Sequence, residues 1–87
     1  MEENSLFELL TLSLGNAALI GLGLMPDPMT DKSEVNLSNT MSNIDILLML
    51  REKTQGNLCE KEKKMLVDLI HDLQLKLVEV QKKQANS

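Results

Sequence analysis

Eighty-seven residues make one small domain, which on size scaling buries about 60–65% of its unfolded surface. The net charge of −4, with no basic patch and no aromatic platform for stacking bases, weighs against nucleic acid as a partner. A lone cysteine excludes an internal disulfide and fits a reducing compartment. The 43% hydrophobic content is too high for a disordered chain, and it comes almost wholly from Leu, Ile, Met, Val and Ala. One Phe, no Trp, no Tyr and few, clustered Pro and Gly favour long helices over strands.

The first helix is expected over residues 5–22. Ser5-Leu6-Phe7-Glu8 has the spacing of a capping box, in which hydroxyl and carboxylate satisfy each other's backbone amides. At helical spacing Leu6, Leu10, Ala17 and Leu24 share one side. Leu9, Leu12, Leu19 and Ile20 cover the next, and Phe7, Leu14, Ala18 and Met25 a third. Only Glu8, Thr11 and Gly15 leave a thin polar gap. A helix apolar on every side needs burial on every side, in protein or in lipid.

So short a chain has too few other elements to supply that burial. Self-association or a protein partner is expected, carried by Phe7, Leu10, Leu14, Ala18 and Leu22. Asn16, a single polar group in an apolar seam, is the kind of residue that sets register or oligomer state. Gly15, Gly21 and Gly23 with Ala17 and Ala18 let a neighbouring helix approach closely. The alternative is a membrane-associated adaptor using the same helix. The uncharged run from Leu9 to Pro26 is near the ~17–20 residues that span a bilayer. Thr11, Ser13, Asn16, three glycines and the lack of flanking Lys or Arg favour protein over lipid. The opening Met1-Glu2-Glu3-Asn4 is acidic where a secretory signal is basic.

Gly23 is a natural left-handed stop, and Pro26 and Pro28 forbid continuation, so residues 23–35 read as a loop. Asn36 is the expected N-cap of a second helix over residues 37–55. Its apolar stripe is Leu37, Met41, Ile44 and Leu48, widened by Leu47 and Leu50, with Gly56 in the closing turn. The third helix is expected over residues 60–82. Cys59-Glu60-Lys61-Glu62 imitates a capping box, with a weakly accepting thiol in the hydroxyl position. Leu66, Ile70, Leu73, Leu77 and Val80 step four, three, four, three, a coiled-coil seam. Glu60–Lys64, Asp72–Lys76 and Glu79–Lys83 are favourable pairs four residues apart, and residues 84–87 are expected to fray. Short connections between these segments predict an all-α three-helix bundle of one domain, with helix one packed on an antiparallel helix two–helix three hairpin.

The order Phe7-x-x-Leu10-x-x-Ser13-Leu14, Ala18-Leu19-x-x-Leu22-Gly23, Pro26-x-Pro28 and Asn36-Leu37 continues into Ile44-Asp45-x-Leu47-x-Met49-Leu50. Lys53-Thr54-x-Gly56-Asn57-Leu58 and Leu69-x-x-Asp72-Leu73 complete it. Together these residues resemble the small bacterial family called domain of unknown function 1844, over nearly the whole chain. The resemblance implies a short, bacterial, cytoplasmic helical protein and no particular activity. Cys59 departs from it, standing where the family usually offers a hydroxyl.

Nothing in the chain assembles a reaction centre. His71 and Cys59 lie twelve residues apart, about 18 Å along a helix, so they cannot share a metal ion. His71 is expected to face solvent beside Asp68. A thiol at a helix N-terminus can be activated, but Glu60 and Glu62 oppose that at Cys59. Asp45 has no second acid or base nearby for catalysis and is expected to cap or to pair with a basic residue such as Arg51 or Lys53, an ion pair being favoured. Gly21-Leu22-Gly23 ends a helix and so is no phosphate loop. No catalytic, cofactor-binding or metal-ligating residue is identified, and a non-enzymatic interaction protein is expected.

Overall fold

The computed structural model describes residues 3–86, with side chains from residue 6 onward. Three helices follow one another: α1 (Glu3–Gly21), α2 (Leu37–Lys53) and α3 (Glu60–Ala85). They form a three-helix bundle in which α1 makes its most extensive contact with α2. The core joins Ala18 and Leu22 from the α1 end, Ile44 and Leu47 from α2, and Leu66, Ile70 and Leu73 from α3.

Boundaries differ from expectation where local signals compete. Glu3 is already helical, so the expected capping box at Ser5 does not sit at the start of α1. Glu8 instead reaches α3, with its carboxylate 3.6 Å from the Lys61 ammonium. At the other end Gly23 adopts φ 75°, the left-handed turn that glycine tolerates. The Leu24 N–H donates to Leu19 O at 3.1 Å and the Gly23 N–H to Ile20 O at 3.0 Å, which is the Schellman arrangement. α3 runs on to Ala85 instead of fraying after residue 82.

The loop after Gly23 doubles back on itself. Single antiparallel bridges pair Leu22 with Val35 and Asp27 with Lys32. The Asp27 carboxylate accepts the Met29 N–H at 2.8 Å, the turn that aspartate forms two residues ahead of itself. The chain thus returns to the C-terminus of α1 before α2 begins. Asn36 caps α2 as expected, its side-chain oxygen accepting the Asn39 N–H at 3.1 Å.

At that junction α1 and α2 are fastened by polar groups. The buried Thr40 hydroxyl donates to Ala18 O at 2.9 Å, Asn39 Nδ2 to Ala17 O at 3.2 Å, and the Asn36 N–H to Gly21 O at 2.7 Å. Carbonyls left over at the end of one helix are thereby satisfied by the start of the next. Hence Thr40 is buried while Met41, expected in the stripe, is exposed; Asn43, also buried, donates to Asn39 O at 2.8 Å within α2. The stripe of α3 falls as expected. Leu66, Ile70 and Leu73 are buried, and Leu77 and Val80 pack against the core. Glu62 accepts the Cys59 N–H at 3.0 Å.

Candidate interaction surface

The rotational setting of α1 inverts the expectation for its polar gap. Thr11 and Gly15 face the interior, fully covered, and Glu8 is half-buried. Two physical reasons favour this. The Thr11 hydroxyl donates to Phe7 O at 2.8 Å on its own helix, so burial leaves it satisfied. Gly15 admits Leu69 of α3 so closely that an added Cβ would lie 3.1 Å from both Leu69 methyls. The small residues are therefore the packing face, and the larger leucines beside them turn outward.

Of the six residues expected to carry association, Ala18 and Leu22 are buried in the chain's own core, and Phe7 and Leu14 pack partly buried against it. Ala18 and Leu22 are thus covered by the chain itself, while Phe7 and Leu14 keep part of their surface open. Leu10 and Asn16 are exposed. Around them sequence reasoning missed a wider surface. Leu6, Leu9, Leu10 and Leu12 are 50%, 54%, 47% and 52% exposed. Ser13 and Asn16, also exposed, and the half-covered Ala17 and Ile20 continue this face to the end of α1. Its spine, Leu6, Leu9, Ser13, Asn16 and Ile20, steps three, four, three, four. From Leu9 to Pro26 there is no charged residue.

The outward sides of the other helices differ in kind. On α3, Val67, Leu75 and Val78 are exposed among charges. There Lys64 lies 2.7 Å from Asp68 and Lys76 2.7 Å from Asp72. The expected Asp72–Lys76 pair is present, whereas Lys64 turns to Asp68 and not to Glu60. That hydrogen bond, with the attraction of the Asp68 charge, holds the Lys64 ammonium above its ordinary pKa. On α2, Met41, Ile46 and Met49 alternate with Ser42, Asp45 and Lys53. Asp45 is exposed and belongs to none of the ion pairs among the described residues, so its expected partner is not met.

No cluster among the described residues brings together three His, Cys, Asp or Glu side chains in a way that could hold a metal. Cys59 is a free, exposed thiol, and His71 is exposed as expected. A depression of about 430 Å³ lies beside the α2–α3 turn, bordered by Arg51, Thr54, Gly56, Leu58, Glu60 and Lys63. It mixes charges of both signs and contains no nucleophile beside a base. No helix among the described residues is long and apolar enough to cross a membrane.

The family described as domain of unknown function (DUF1844) matches residues 4–79. The chain belongs to this family. The match spans all of α2 and most of α1 and α3, so the leucine face lies inside the DUF1844 region. No curated protein and no solved structure matches this DUF1844 member.

Proposed function

We propose that this DUF1844 member is a non-enzymatic interaction protein of the bacterial cytoplasm, working as a homo-oligomer or as a small subunit of a larger assembly. The observation that carries the reading is the outward face of α1, where four leucines stand about half exposed and no charged residue follows Glu8 to the end of the helix. Contiguous apolar surface of this kind marks an interaction site. Completing the burial of each of these leucines contributes about 1 kcal/mol, half the value of a fully buried side chain.

The test is a pair of substitutions on that face, Leu9→Lys and Leu10→Lys. Both side chains point away from the core, so helical content and melting of the isolated chain should be kept. Sedimentation velocity should show the association lost. Undiminished association in both variants would overturn the reading.

A second reading, an adaptor that lays α1 on a lipid surface, is favoured by the same uncharged face. Interfacial helices usually flank such a face with Lys or Arg, and α1 contains neither. Flotation with anionic and zwitterionic vesicles separates the two readings. Protein left at the bottom of the gradient supports a protein partner, and protein floating with lipid replaces that reading with the adaptor.

A further inference from the structure

We infer that the occupant of the α1 face is a second copy of this chain, packed antiparallel about a two-fold axis passing near Ser13. The inference rests on the reading of α1 as a protein-binding surface and specifies the partner.

The chain as a whole exposes enough surface to supply one side of a stable interface. The chain exposes 6064 Å², about 900 Å² more than the ~5,100 Å² typical of a folded monomer of 9.7 kDa. A standard protein–protein interface takes about 800 Å² from each partner. The shape agrees, since a radius of gyration of 13.9 Å exceeds the ~12 Å typical of a compact chain this long. The molecule is a slab, 43 × 25 × 16 Å, whose long axis follows the 26-residue α3. Among the described residues the outward side of α1 carries no charge from Leu9 to its end, so that stretch can lose water without stranding an ion.

The identity of the partner follows from the distribution of side chains along that face. An uncharged face has no need of a partner of opposite charge and can match itself, as a two-fold interface requires. Its N-terminal half carries Leu6, Leu9 and Leu10, and its C-terminal half carries the smaller Asn16 and Ala17 before Ile20. Antiparallel packing about Ser13 sets Leu9 against the partner's Ala17 and Leu10 against the partner's Asn16. Leu6 then meets the partner's Ile20, and the two Ser13 residues meet on the axis. At the Leu9–Ala17 and Leu10–Asn16 levels large meets small, which lets helices interdigitate without voids. Parallel packing would set leucine against leucine at one level and leave a gap at Asn16 and Ala17. Antiparallel helices also bring opposite dipole ends together.

Cysteine cross-linking under mild oxidation tests partner and register together, in a Cys59→Ser background that removes the exposed native thiol. Ser13→Cys should form a disulfide-linked dimer. Leu6→Cys and Ile20→Cys should each stay uncross-linked alone, and should link when the two variants are mixed. Residues 6 and 20 lie about 21 Å apart along α1, far beyond the reach of a disulfide, so a mixed link requires the antiparallel register. All three positions lie on the outer side of α1, and circular dichroism of each variant should match the parent. Leu6→Cys linking to itself would overturn the antiparallel register while leaving self-association standing. Absence of any link, with monomeric mass in every variant, would overturn the second copy. It would leave the α1 face to a different protein, which the lysine substitutions examine separately.

Discussion

Replacing Gly21 with alanine should be among the most damaging single-methyl changes in the chain. Gly21 sits where α1 meets the start of α2. A Cβ there would overlap Thr40 Oγ1 and stand 2.8 Å from the Asn36 carbonyl oxygen and 3.0 Å from the Thr40 amide nitrogen. Two of those three atoms are backbone and cannot rotate away, so the helices must separate. Overpacking of this sort costs about 1–3 kcal/mol. Separation also strains the buried hydrogen bond from Thr40 to Ala18 O, whose loss adds about 1–3 kcal/mol. Alanine's better helix propensity returns at most about 1 kcal/mol. The net loss is about 2–4 kcal/mol, against the 5–15 kcal/mol that a whole domain typically holds.

Gly15→Ala is the control. Its Cβ meets only the methyl ends of Leu69, a side chain with room to adjust, and the helix-interior propensity gain opposes the crowding. That variant should remain within about 1 kcal/mol of the parent. Urea unfolding followed by circular dichroism measures both, at one protein concentration because association shifts the midpoint. With a slope of about 1 kcal/mol per molar urea, Gly21→Ala should lower the midpoint by roughly 2–4 M. Equal midpoints for the two alanine variants would refute the close helix approach at Gly21.

Asn36→Ala removes the cap of α2 and should destabilise by about 1 kcal/mol, read from the same unfolding curves. Glu62→Ala leaves the Cys59 N–H without its carboxylate and should cost a similar ~1 kcal/mol. Faster amide exchange in the latter should be confined to the first turn of α3, and Glu62→Gln should recover most of the loss.

Much of the fold is legible in the sequence because its signals are local. Asn36 before a polar first turn, Gly23 before two prolines, and the four–three stepping of Leu66, Ile70, Leu73 and Leu77 each name an element or its end. The rotation of α1 is not local. A helix that is apolar all round has no period to read, so Leu14 and Leu10 look equivalent until their neighbours are placed. What decides between them is where the backbones can approach, at Gly15 beside Leu69 and at Gly21 beside Thr40. Those contacts join residues more than fifteen positions apart. Of the residues named on α1, Leu10 and Asn16 are exposed, while Ala18 and Leu22 serve the core. Thr40 was unreadable for the same reason, since the α1 end that makes its burial favourable lies across the Pro26–Pro28 loop.

The absolute mass of the detergent-free chain, by light scattering after size exclusion over roughly a hundredfold concentration range, tests the account most directly. With the second copy on α1, the mass should approach twice 9.7 kDa at the top of the range and fall on dilution, while Leu9→Lys stays at 9.7 kDa throughout. A parent chain fixed at 9.7 kDa over the whole range would contradict it.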